Sequence, residues 1–208
     1  MNQSILNKSR NDKFHFLFGL PPAVKKLGLS EPLMKNDFNE DKIELSVISM
    51  SVPDISIPSV SLGYGGQSYK TSSFSRPDYP ALDIKFFLDN GYHNYYILWR
   101  WLNLFNDSKY STSEIVTTDS LPHDPSFELK NPFSEYITTL SILVLDEYNN
   151  KLLKFVYEDA FITSLGGINY SYQDGVEITG SASFGYNQFH VEFLHNVNKC
   201  AANCNDEL

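Results

Sequence analysis

Apolar and polar residues alternate one by one along segment after segment of this chain, and the segments stop at prolines, glycines or asparagines. A period of two places every second side chain on the same side of an extended backbone, so each segment has one face to bury and one to leave wet. Phe14, Phe16 and Phe18 open the series, and Leu20-Pro21-Pro22 ends that strand because proline cannot donate to a sheet ladder. Ile43 to Val52 reads as the second strand, stopped by Pro53. Leu82, Ile84, Phe86 and Leu88 then alternate with Asp83, Lys85, Phe87 and Asp89, up to the turn signal Asn90-Gly91. Tyr136 to Asp146 turns at Asn149-Asn150 into a hairpin partner, Leu152 to Tyr157. Asp159 to Leu165 is a further short strand ending at Gly166-Gly167, and Ile178 to Leu194 is the last long one, with a bend expected at Gly185.

One segment follows a different period. From Tyr92 to Asn106, Tyr95, Leu98, Trp101 or Leu102, and Phe105 recur at spacings of three and four, which is one stripe of an α-helix. Trp99 lies beside that stripe and points to an interface or a sheet edge. About eight strands and one helix emerge, with turn-length gaps between strands on both sides of the helix. The expected fold is mainly β: two packed antiparallel sheets, a sandwich or barrel, with one flanking α-helix and an extended β-arm. Residues 1–12 read as a polar N-terminal arm, 13–195 as a single β domain and 196–208 as a polar tail. Within the domain, 23–41 reads as an irregular connection or short helix. The stretch 107–132, with Pro122, Pro125 and Pro132, reads as a surface insertion.

The arm is residues 54–75. Ile55, Ile57, Val60 and Leu62 belong to an extended stretch that Pro58 restricts to an edge or an isolated ribbon. Gly63-Tyr64-Gly65-Gly66 supplies a turn, and Tyr69 to Phe74 returns. A ribbon of this kind has little core of its own and needs something else to lie on. Composition fits: 14% of the residues are aromatic and only 20% are charged, which suits pleated surfaces covered by neighbours.

The formal net charge of −9 argues against a protein that grips nucleic acid, since such affinity comes from Lys and Arg at phosphates. It is compatible with a surface that DNA must pass, and equally with plain solubility. No run approaches the roughly 18 apolar residues of a membrane helix. The start, Met1-Asn2-Gln3-Ser4-Ile5, lacks the plan of a signal peptide, so synthesis in a cytoplasm is expected. The two cysteines, Cys200 and Cys204, sit in the polar tail. They read as inert, although their spacing also permits a shared helix face, a metal held with outside help, or a small disulfide loop.

No catalytic constellation is visible. His15, His93, His123, His190 and His195 have no HxxxH or HExxH spacing and no cysteine neighbour, so no metal site is expected. Gly63 to Gly66 lacks the Lys-Ser/Thr of a phosphate loop and opens no helix. Asp78, Asp83 and Asp89 suit solvated faces. Tyr64, Tyr69, Tyr170 and Tyr172 suit protein interfaces, and also the stacking platform of a carbohydrate-binding β-sandwich module, which is kept as a reading from a different class. The chain is expected not to be an enzyme and to need no cofactor.

The order of these elements resembles the tail-tube protein family of contractile-tailed phages, with related tubes in phage-like injection systems and, more distantly, type VI secretion. The resemblance spans roughly residues 13–105 and 135–194. It is carried by the Phe-rich opening strand, the strand through Ile48 and Met50 to Val52-Pro53, the arm to Phe74, the helix centred on Trp99-Arg100-Trp101 and the run Val156-Tyr157-Glu158-Asp159-Ala160-Phe161-Ile162-Thr163-Ser164-Leu165-Gly166. It implies a structural virion protein of a phage tail, assembled in the host cytoplasm. Six subunits would close into a ring with an inner β-barrel, and rings would stack through arms. DNA would pass through the lumen without specific binding. Partners would be other copies and other tail proteins such as sheath or baseplate, with no membrane. By that resemblance, 54–75 is the stacking arm, the helix at 92–106 packs on the outer side, and Ile57, Val60, Leu62, Tyr64, Tyr69, Phe74 and Trp99 are candidate inter-ring or inter-subunit contacts. Acidic and Ser/Thr/Asn side chains are expected along the lumen. A tube initiator or terminator of the same fold is the alternative role.

Overall fold

The computed structural model describes residues 8–30, 40–105, 133–172 and 175–194. Its elements are β1 (Phe14–Phe18), α1 (Pro22–Ser30), α2 (Asp41–Glu44), β2 (Val47–Met50), β3 (Ser59–Tyr64), β4 (Gln67–Ser72), β5 (Leu82–Phe87), α3 (His93–Phe105), β6 (Thr138–Leu145), β7 (Lys151–Leu165), β8 (Thr179–Gly185) and β9 (Gln188–Phe193). A single 3-10 turn, Phe133–Glu135, precedes β6. The insertion at 107–132, Cys200 and Cys204 in the tail, and residues 1–7 of the N-terminal arm lie outside the described residues.

Seven strands form one antiparallel sheet in the order β1-β6-β7-β8-β5-β2, with β9 also pairing β7, and β3-β4 is a separate hairpin. The long strand β7 makes this sheet two leaves. Its first half pairs β6 on one side and β9 on the other. Its second half pairs β8. Between the halves Asp159 takes φ 54°, a conformation that re-aims the strand. One leaf is therefore β1-β6-β7-β9 and the other β7-β8-β5-β2. They fold over each other: the ring of Phe18 on β1 lies 6.1 Å from that of Phe184 on β8.

The alternation read in the sequence is the reason for this packing. In β5, Leu82, Ile84 and Phe86 are buried while Asp83, Lys85 and Phe87 are exposed. In β1, Phe16 and Phe18 are buried while His15 and Leu17 face out. Each such side chain, removed from water, contributes about 1.5–3 kcal/mol before entropy is charged against it. Gly180 on β8 is required by close approach, because a Cβ there would come within 2.8 Å of Phe86 Cζ.

Helix α3 closes the space between the leaves. Its N-terminus is capped by Asp89, whose Oδ1 accepts from the His93 N–H at 2.7 Å. It buries Asn94, Ile97, Leu98, Trp101, Asn103 and Leu104. The stripe expected through Tyr95, Leu98, Trp101 and Phe105 is thus rotated toward Ile97 and Leu104, and Tyr95, Leu102 and Phe105 pack at its margin.

Three element boundaries differ from expectation. Ile43 to Val52 is not one strand: Asp41–Glu44 is a helical turn and only Val47–Met50 is strand. Glu44 Oε1 accepts the Phe18 N–H at 2.6 Å and Glu40 Oε1 the Leu20 N–H at 3.3 Å, so this turn satisfies donors at the end of β1 while burying Ile43. Leu152 to Tyr157 and Asp159 to Leu165 are one strand, β7, because the irregularity at Asp159 bends the ladder without ending it. Residues 178–194 divide into β8 and β9 around Tyr186-Asn187, next to the Gly185 bend. The segment 23–41 contains a helix, α1, at its start.

Candidate assembly surfaces

The β3–β4 hairpin is the least ordinary part of the molecule. Its two-residue turn uses Gly65 and Gly66 at φ 58° and 80°, the positive pair that matches the twist of a tight hairpin. Every residue of β3 is exposed, and so is all of β4 except the half-buried Thr71. The register, Val60 opposite Thr71, Leu62 opposite Tyr69 and Tyr64 opposite Gln67, places Val60, Leu62, Tyr64 and Tyr69 on one face. Ser59, Ser61, Lys70 and Ser72 occupy the other. A two-stranded ribbon is marginal in water by itself, and an apolar face left this exposed among the described residues is a surface awaiting a partner.

Of the residues singled out from the sequence, Val60, Leu62, Tyr64 and Tyr69 are therefore brought together. Ile57 and Phe74 lie in the segments flanking the hairpin, 53% and 90% exposed. Trp99 is elsewhere, on α3, where its ring stacks on Tyr96 with centroids 5.7 Å apart. Near the start of that helix Tyr170 is held above its usual pKa, chiefly by its interaction with Tyr92.

Sheet edges are the second surface, and sequence reading did not locate them. β1, β2 and β9 each pair on one side only among the described residues. Val191 and Phe193 on β9 are 48% and 71% exposed at one of these edges. An open groove lined by Phe14, Phe16, Glu44, Leu45 and Ile48 runs between β1 and β2. Open edges of this sort are ordinarily covered by a neighbouring chain or by ring closure.

Little in the site is arranged for bond-making. Among the described residues no three of His, Cys, Asp and Glu converge on a point where a metal ion would sit. His93 Nδ1 lies 3.3 Å from Asp89 at the start of α3, and His190 lies between Glu158 and Glu192 at 3.6 and 3.4 Å on the outside of the first leaf. No described helix is long and apolar enough to cross a membrane.

The chain matches the model of the phage tail tube protein family over residues 9–192. It belongs to that family. The family is one of structural tail proteins, and the chain has the fold of solved injection-system components. It is similar to a chain of the sheath-tube complex of an extracellular contractile injection system, PVC, in the extended state, with a TM-score of 0.56 and 11% identity, covering 91% of this chain and 95% of that one. It is similar to the anti-feeding prophage tube-terminating cap, with a TM-score of 0.57 and 11% identity, covering 93% and 96%. A weaker likeness, TM-score 0.43 and 11% identity over 87% of each chain, is to Hcp1 from Salmonella typhimurium. No curated protein sequence matches the chain.

Proposed function

We propose that this chain is a tail-tube subunit whose copies close into hexameric rings, stack through the β3–β4 hairpin and form the conduit for DNA delivery. The observation that carries the reading is the hairpin, an exposed ribbon with Val60, Leu62, Tyr64 and Tyr69 on one face and no core beneath. One-sided pairing of β1, β2 and β9 supports lateral closure, because a head-to-tail contact that closes makes a ring and a repeated axial contact makes a tube. The net charge of −9 supports passage of DNA without retention. Sheath and baseplate subunits are the further partners of this reading, and the virion is its location.

Deleting residues 59–72 and joining the flanks through a short polar linker is expected to leave a folded domain that forms no stacked tubes. Tubes of normal length from the deleted protein, seen by negative-stain microscopy, would sink the proposal. The cap has the same fold to the same degree as the tube, so a second role is a terminator. A terminator yields single rings from the intact chain where a tube subunit yields long cylinders. A stable monomer that binds glycans would instead favour the carbohydrate-binding reading.

A further inference from the structure

The two leaves present outward faces of different chemistry. On the first leaf, Leu17 is 39% exposed opposite Ser141, on the face that also carries Lys154, Glu158, His190 and Glu192. Lys154 Nζ is 3.6 Å from Glu192, an ion pair across the strands, and His190 Nδ1 is 3.6 Å from Glu158. This face is therefore dominated by long ionisable side chains rather than by short hydroxyls.

The second leaf is lined differently. Its outward side chains include Thr163, Thr179, Ser181 and Ser183, with Asp83 and Lys85 between them on β5. The Ser183 hydroxyl donates to Asp83, and the Thr163 hydroxyl donates to the Ser183 carbonyl at 2.9 Å. One carboxylate and one ammonium offset each other, and the hydroxyls are short, neutral and hydrated. Phe87, 40% exposed opposite Thr179, stands at one end of this face. Among the described residues the rest of it groups no cations that would retain a polyanion, and short hydroxyls separate its two charges.

Position agrees with chemistry. β2 and β5 are antiparallel neighbours, and the chain between them, 51–81, contains the hairpin. The hairpin therefore leaves from one end of the second leaf, so a hairpin that reaches the next ring sets this leaf's strands running from ring to ring. Among the described residues β2 also pairs on one side only, so the leaf is free to continue into a neighbour as a closed wall requires.

We infer that the outward face of the second leaf, carrying Thr163, Thr179, Ser181 and Ser183, lines the channel, and that the outward face of the first leaf is the tube's exterior. This rests on the tube reading of the chain. The test uses assembled tubes of full-length protein in which Cys200 and Cys204 are replaced by Ser, with Ser181→Cys on one face and Lys154→Cys on the other. A small maleimide is expected to label both thiols. A polyethylene-glycol maleimide too bulky for the channel should label Ser181→Cys at least about tenfold more slowly than Lys154→Cys, because a closed ring admits it only at the tube ends. After the tubes are dissociated the two rates should converge.

Equal rates in intact tubes, or protection of Lys154→Cys instead, would overturn the assignment while leaving the tube standing. If Ser181→Cys alone blocks assembly, Thr179→Cys on the same exposed face gives the same readout. Absence of tubes from the unsubstituted protein would remove the tube reading, and this inference with it.

Discussion

Trp101 sits where three elements meet. Its ring lies 5.9 Å from Phe18 on β1 and 5.7 Å from Phe184 on β8, and its indole N–H donates to the Tyr136 carbonyl at 3.0 Å. Trp101→Ala opens a cavity between the leaves and removes that hydrogen bond, so chemical denaturation should report a loss of about 3–5 kcal/mol. Trp99→Ala is the control: the side chain is part-exposed, and the loss should stay within about 0.5 kcal/mol. Tyr157 offers a test of opposite sign. Its hydroxyl is buried and has no hydrogen-bond partner among the described residues, and burial, with a smaller contribution from Tyr186, pushes its pKa far above 10. The folded form resists ionisation more than the unfolded one, so this contribution to stability is complete below pH 10 and is lost as pH rises beyond it. Tyr157→Phe should therefore be neutral or slightly stabilising at pH 7, by up to about 1 kcal/mol, and should unfold less readily in alkali. A flat comparison of the two proteins' alkaline unfolding curves would count against this account.

Among elements, the hairpin and the kinked strand make separate demands on the backbone. Gly65→Ala with Gly66→Ala forces two side chains into positive φ, which costs about 1–2 kcal/mol each in a ribbon that has no core to compensate. The expected outcome is an unchanged domain melting temperature with short or absent tubes, read by calorimetry and microscopy together. Asp159 at φ 54° behaves differently, because it lies inside β7. Asp159→Gly should be tolerated, while Asp159→Val should cost about 1–3 kcal/mol of domain stability. These elements also differ in how far they could be read in advance. Strands such as Leu82–Phe87 were legible because one face is buried and the period is strict. The hairpin was legible from Pro58 and the glycines. The helical turn at Asp41–Glu44 was not, since the carboxylates of Glu40 and Glu44 serve β1 donors remote in sequence. Nor was the unity of β7, because nothing local separates a kink at Asp159 from a turn there.

For the whole molecule the legible part was the class: antiparallel strands packed with the helix α3, and an exposed ribbon, while the helical turn α2 was read as strand. The assignment of faces was not legible, since it depends on which strands share a leaf, and that is decided by pairings such as β5 with β8 across nearly a hundred residues. Charge belongs at this scale. Copies each carrying a net −9 repel one another, while the hairpin contacts offered for stacking are apolar. Added salt shortens the reach of the repulsion to about 10 Å at 0.1 M and leaves apolar contacts intact. Tube growth, followed by light scattering, should therefore accelerate as salt rises from low to moderate levels. Dissolution over that range would mean that ion pairs hold the subunits together. The strand shared by the two leaves has a mechanical meaning as well. β7 runs as unbroken backbone from one leaf into the other, so it acts like the web of a beam between two flanges. A load applied to either leaf travels along covalent bonds to its partner, and the wall bends as one piece before its layers can slide.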